Sequence, residues 1–291
     1  MPVLLYFIVY LCVVMLLTAL FYYPVFQVID AAWEIRPDRV FSRLSLVIAA
    51  LGFWPFLKLQ GINNRYALGY SLDYRHFLQT FTRGLLIGVM IMTAHAMLLI
   101  LLDARVPVPG AIQLNDVLYA LMSGLLSGIL VAFIEESFFR GAMHYGMRRH
   151  SPMLTATITT ALLYAAVHFI HPPVTAEGTV IGWQSGWEML AAMFHSYENF
   201  AAIADSYTAL FAAGLFLSLV RERSGNIALC TGIHAGWVLT IKLVREVTDA
   251  ATDTPAALLI GSYDGIIGWA AAAVLGLVTL WYWRYGCASR S

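Results

Sequence analysis

Eight stretches of this chain, at about residues 3–28, 41–59, 84–102, 117–147, 152–170, 204–220, 226–245 and 260–283, are apolar over most of their length. A helix of about 20 such residues crosses a hydrocarbon core ~30 Å thick. This repetition restricts the fold class to an all-α, polytopic transmembrane helix bundle of about eight spans. Composition removes the alternatives. Only 12% of residues are Asp, Glu, Lys or Arg, against roughly a quarter in an average soluble domain. A soluble globular enzyme, a disordered chain and a disulfide scaffold are therefore excluded. The 17 basic and 17 acidic residues cancel, so no large field recruits nucleic acid. Cys12, Cys230 and Cys287 are far apart and read as small apolar packers rather than a redox pair or zinc ligands.

The first run has no basic residue before it and is followed by Phe21-Tyr22-Tyr23-Pro24. It reads as a retained anchor, not a signal peptide. With both termini cytoplasmic, eleven Lys and Arg residues fall inside and six outside, as the positive-inside rule favours. Arg36, Arg39 and Arg43 of the first loop run against that orientation. The loop after His171 holds Glu177, Glu188 and Glu198 without a Lys or Arg, which suits the outer side. Trp183 and Trp187 place the segment 182–190 at headgroup depth as an interfacial anchor.

Two charges break the apolar pattern. Glu135 and Glu136 sit deep in Val131-Ala132-Phe133-Ile134-Glu135-Glu136-Ser137-Phe138-Phe139-Arg140. A charge at the bilayer centre costs ~3 kcal/mol on insertion scales, so a tandem pair needs partners inside the bundle. Helical spacing puts Arg140 four residues after Glu136, on the same face. Glu135 is rotated about 100° from its neighbour and faces elsewhere. At ~1.5 Å of rise per residue, Glu135, His168 and His234 fall within about two helical turns of one depth. His95 reads as a packed core histidine, and His144 and His150 as residues near the cytoplasmic surface.

A carboxylate in apolar surroundings is poised as a general base, and an adjacent one held by Arg140 is not. One histidine opposite Glu135 can orient a water, and a second can donate to an oxyanion. That equipment suits hydrolysis of an amide bond inside the membrane. Glu135, His168 and His234 are also a hydrolytic zinc set, if a metal is present. With no HExxH, water activated by Glu and His ranks above zinc.

The same residues resemble the CAAX protease and bacteriocin-processing (Abi, type II CAAX prenyl endopeptidase-like) intramembrane protease family. Its EExxxR motif is met in full by Glu135 to Arg140. Its FxxxH motif is met by Tyr164-Ala165-Ala166-Val167-His168, with tyrosine for phenylalanine. His234 opens the third motif, HxxxN or HxxxD, but Val238 stands where the family has a polar side chain. The resemblance implies that Glu135 is the general base, that His168 positions the water and that His234 contributes to the oxyanion site. Glu136 and Arg140 support that geometry. At the third motif His234 serves alone, or Thr231 or Trp237 compensates for Val238.

By the same resemblance, the chain is one membrane domain. Residues 1–110 form N-terminal transmembrane helices, 111–250 the catalytic core and 251–291 a C-terminal transmembrane helix. The implied partners are the lipid bilayer and a prenylated or membrane-anchored peptide or protein, cut in its C-terminal segment, with no nucleic acid. The short loops point to a prokaryotic inner membrane. Cys287 is not in a CaaX box. The runner-up reading is a non-enzymatic membrane scaffold or bacteriocin immunity factor whose Glu–Arg pair is structural. A proton-coupled transporter ranks third, because no paired broken helices or symmetric halves are visible.

Overall fold

The computed structural model of the chain describes residues 2–33, 35–108, 113–176, 178–251 and 254–286; Glu177, Cys287 and the tail beyond it lie outside them. In chain order the α-helices are α1 (Pro2–Asp30), α2 (Pro37–Leu59), α3 (Tyr74–Leu101), α4 (Leu114–Glu136), α5 (Tyr145–Arg148), α6 (Met153–His168), α7 (Ser185–Ala192), α8 (Ala204–Ser224), α9 (Ala228–Val247) and α10 (Trp269–Tyr285). Between α4 and α5 the chain winds as a π-helix over Ser137–His144. One short antiparallel ladder, Arg105–Pro107 with Thr248–Ala250, interrupts the all-helical plan. In hydrocarbon each backbone polar group must be satisfied within the protein, and a helix does this locally.

Each of the eight apolar stretches contains a helix. Among the described residues, four helices are long and apolar enough to cross a membrane: Val3–Asp30, Pro37–Leu59, Tyr74–Leu101 and Leu114–Arg148. At most 33% of any of their apolar windows is buried within the protein, so most of that surface faces outward, as suits lipid. This is an integral membrane protein.

The chain forms two compact units. One comprises Met1–Asn63 and Ala166–Phe200. Here α1 packs on α2 and α7 around Tyr22, Val40, Phe41, Met189 and Met193. A β-carbon on Gly186 would lie 2.2 Å from the Ala19 carbonyl oxygen, so only glycine lets α7 sit this close to α1. Trp183 and Trp187 stay exposed beside it.

The other unit comprises Asn64–Ala165 and Ala201–Ser291 and is built around α9. Three GxxxG pairs allow this. Gly84 and Gly88 of α3 meet Gly232 and Gly236 of α9, where added β-carbons would come within 2.1–2.4 Å of facing carbonyl oxygens. On another side, a β-carbon on Gly128 of α4 would lie 2.8 Å from the Ala235 carbonyl oxygen. Without a hydrophobic driving force between helices in lipid, close backbone approach of this kind supplies the packing energy. His234 lies between the two glycines of α9, so the clamp on the helix fixes the histidine's height and rotation. The turn from α8 into α9 uses Gly225 in the left-handed region, φ 69°.

At one end of this unit Arg105 is buried, donating to the Thr248 hydroxyl at 2.7 Å, the Gly265 carbonyl at 2.7 Å and the Thr248 carbonyl. His95 is packed as its sequence context suggests, bonded to the Ile266 carbonyl at 3.0 Å.

Gly232→Ala is expected to cost about 3 kcal/mol through overpacking, because its β-carbon would lie 2.1 Å from the Phe81 carbonyl oxygen. Gly276→Ala, with nothing within 4 Å, should be neutral or stabilise by less than ~1 kcal/mol. Thermal unfolding of the two purified variants in detergent compares them.

Candidate active site

The site starts from a stripe of small residues. Ala120, Gly124, Gly128 and Ala132 recur every four residues on the buried face of α4, and Glu136 is the next step of that stripe. Four small residues bring α9 close, and the fifth position delivers a carboxylate to it. Glu136 is fully buried, as is Arg140. The Arg140 Nη1 donates to Glu136 Oε1 at 2.9 Å, as the i,i+4 spacing requires. Its Nη2 donates to the Gly214 carbonyl of α8 at 3.3 Å. The guanidinium also lies over the Tyr164 ring, 4.3 Å from its centroid, a contact that gains strength where water is excluded.

His234 completes the arrangement. Its Nδ1 is 2.9 Å from the same Glu136 oxygen that Arg140 holds. A carboxylate paired with a permanently charged guanidinium only accepts, so Nδ1 carries the proton and donates. The other ring nitrogen, Nε2, lies 3.9 Å from Glu135 Oε2. Glu136 is thus the anchor, and Glu135 is the less buried carboxylate, its side chain 26% exposed although the Oε2 that faces His234 is buried. A polar separation above 3.5 Å is one that a bridging water fits. The rotation of about 100° between consecutive helical positions gives the two glutamates these separate environments.

The π-helix begins immediately after Glu136. Such segments are rare and concentrate at functional sites. Here it carries Arg140 and is held by the loop that precedes α3. Tyr70 bonds the Ser137 hydroxyl at 2.5 Å, and Gly141 lies so close to the Leu68 carbonyl that a β-carbon would approach to 2.8 Å. An uninterrupted helix over 117–147, expected from hydropathy, therefore gives way to a π segment at Ser137.

Farther along, His144 is 2% exposed and bonds Glu222 Oε2 at 3.0 Å. Glu222 also accepts from Arg148 Nε at 2.9 Å. Residue reading passed over this second cluster. The Arg140–His144 spacing of four was a usable signal, but the partner on α8 was invisible.

The structure thus brings Glu135, Glu136, Arg140 and His234 together. His168 ends α6, half-buried, and belongs to the unit containing Ala166–Phe200. Tyr164, one turn earlier, belongs with the Glu–Arg–His group, its ring 6.3 Å from that of His234. Of the residues considered for the third motif, Thr231 spends its hydroxyl on the Ile227 carbonyl at 2.8 Å. Val238 packs 3.4 Å from where a β-carbon on Gly128 would stand. For zinc the donor set falls short: among the described residues no three His, Cys, Asp or Glu side chains are placed to hold a metal. No step is routed through one.

A fully buried carboxylate, a second that is partly exposed and a histidine that bonds the first and faces the second define the class: a helical membrane protein with a polar cluster inside its bundle. Residues 117–240 match the family model of the type II CAAX prenyl endopeptidase Rce1-like domain. The chain therefore carries an Rce1-like domain, as its motifs suggested, across the segment holding Glu135, Glu136, Arg140, His168 and His234. Comparison with curated proteins and with solved structures returned no match.

Removing one partner of a buried ion pair strands the other. Arg140→Ala should therefore cost about 3–5 kcal/mol, read as a fall in Tm and in membrane abundance. Glu222→Ala acts at a side chain that is 22% exposed and should cost no more than about 1–2 kcal/mol.

Proposed function

We propose that this protein is an intramembrane endopeptidase that hydrolyses a peptide bond in the C-terminal segment of a lipid-modified or membrane-anchored substrate. Glu135, His168 and His234 are its catalytic residues, and Glu136 and Arg140 support them. The observation that carries the reading is the 3.9 Å gap between Glu135 Oε2 and His234 Nε2, above a buried anchor and inside the Rce1-like segment.

The gap suits a water that donates one hydrogen to Glu135 and the other to His234 Nε2. As its oxygen attacks the scissile carbonyl carbon, Glu135 takes the proton. When the C–N bond breaks, the same carboxyl returns that proton to the leaving amine. The products are a carboxylic acid, which keeps the water's second proton, and an amine, with Glu135 regenerated; in water they ionise to carboxylate and ammonium. Through Nδ1, the Glu136–Arg140 pair holds His234 in the tautomer that leaves Nε2 free to accept. His168 is the second histidine assigned to the water. The catalytic core is 111–250, flanked by transmembrane helices at 1–110 and 251–291. α6, α8, α9 and α10 complete a set of about eight spans, with cytoplasmic termini in a prokaryotic inner membrane.

Mass spectrometry of membrane-protein C-termini tests this in cells with the wild type, with Glu135→Ala, with His168→Ala and with no protein. C-terminal tails shortened only with the wild type are expected, with both variants normally abundant. Cleavage retained in Glu135→Ala would overturn the assignment of Glu135 as the base, and identical C-termini in all strains with the protein present would support the scaffold reading instead.

A further inference from the structure

The unit made of Met1–Asn63 and Ala166–Phe200 carries none of Glu135, Glu136, Arg140 and His234, yet it contains an open cavity of about 780 Å³. That volume is in the range of small-molecule sites. One wall is the end of α1 and the turn into α2, including Tyr23, Phe26, Asp30 and Arg36, and the other is the segment 174–181. The two walls are tied together. Arg36 donates through Nε and Nη2 to Asp38 at 3.1 and 2.7 Å, and Asp38 Oδ1 also accepts from the Thr175 backbone N–H at 3.4 Å.

Helix length gives the depth of this cavity. α1 has 29 residues, roughly 43 Å at the α-helical rise. The hydrocarbon core is only ~30 Å thick, and ~40–45 Å includes the headgroup regions. The Asp30 end of α1 therefore emerges among headgroups. Trp33 and Trp183, close in the chain to lining residues, are exposed, and the Tyr23 ring meets that of Trp183 with 5.1 Å between centroids. Trp and Tyr collect at that same depth.

The lining is chemically specific. A guanidinium has five N–H groups, so the pair with Asp38 leaves three on Arg36 for another anion. The Asp30 carboxylate is exposed and has no ion-pair or hydrogen-bond partner among the described residues. One cavity thus offers a donor set for a phosphate and a carboxylate for a cation. Leu16, Leu20, Tyr23 and Gln27 recur at helical spacing on one face of α1, and Leu16 and Leu20 are exposed, giving an apolar track that leads from the cavity towards the hydrocarbon. A phosphate, a primary ammonium on a short tether and an acyl chain meet these three features together. An anionic headgroup without the ammonium would set negative charge beside Asp30, and a choline headgroup has no N–H to donate to it.

We propose that this cavity binds the headgroup of a phosphatidylethanolamine, its phosphate on Arg36, its ammonium on Asp30 and an acyl chain along Leu16 and Leu20. The site stands apart from the Glu–Arg–His cluster, and the proposal does not depend on the hydrolytic reading.

Native mass spectrometry of the purified full chain tests it, with phosphatidylethanolamine, phosphatidylglycerol and phosphatidylcholine carrying identical palmitoyl and oleoyl chains. The wild type should bind phosphatidylethanolamine about three- to fivefold more tightly than either other lipid, the span that a partly exposed ion pair allows. Asp30→Asn should bring phosphatidylethanolamine down to the affinity of phosphatidylcholine and leave Tm unchanged, because Asp30 has no partner within the described residues. Arg36→Gln should weaken all three lipids, since each carries the phosphate; it also strands Asp38 and should lower Tm, so Asp30→Asn carries the test. Equal affinity of the wild type for the three lipids would overturn the proposal. So would a preference for phosphatidylglycerol, or a preference for phosphatidylethanolamine that survives in Asp30→Asn.

Discussion

The buried bond set Arg140–Glu136–His234 is the constraint to which the rest of its compact unit is fitted. One carboxylate oxygen accepts from a guanidinium and from an imidazole, both at 2.9 Å. None of the three side chains is more than 6% exposed. Isolated in hydrocarbon, each charge would be prohibitively costly; together they compensate one another, provided that α4, the π segment and α9 hold their spacing. The Gly214 carbonyl and the Tyr164 face extend the same guanidinium to α8 and α6. A single cation thereby ties four parts of the unit to one point.

That spacing comes from glycine. Where α9 crosses α3 and α4, carbonyl oxygens occupy the positions of missing β-carbons. An alanine at Gly88 or Gly236 would push the backbones apart and carry His234 away from Glu136. Packing and chemistry are thus linked through one helix: the glycines that stabilise α9 are also the ones that set the histidine's position.

The π segment resolves a conflict within one stretch of chain. Glu135 and Glu136 are adjacent, yet one must be sealed and the other reachable. Ending the α-helix at Glu136 and widening the next turns lets Arg140 cover one carboxylate and leaves its neighbour partly exposed. The result is a pair of like groups in unlike surroundings, one fully buried and one partly exposed.

Several of these features were legible in the residues. The apolar runs dictated helices, the tandem glutamates marked the site, and the spacing of four identified Arg140 as the partner of Glu136. Depth counting put Glu135, His168 and His234 only within about two helical turns of one another. The three GxxxG pairs were present as a signal for tight helix crossing, though they could not say which helices cross. Only the tertiary structure decided that His234 binds Glu136 through Nδ1 and turns Nε2 to Glu135, because that depends on how α9 is rotated against α4. The burial of His144 by Glu222 of α8 was decided there too. Local sequence sets periodicity and which residues share a helix face. Which nitrogen meets which oxygen is set by the distance and rotation between helices far apart in the chain, and no local pattern encodes that.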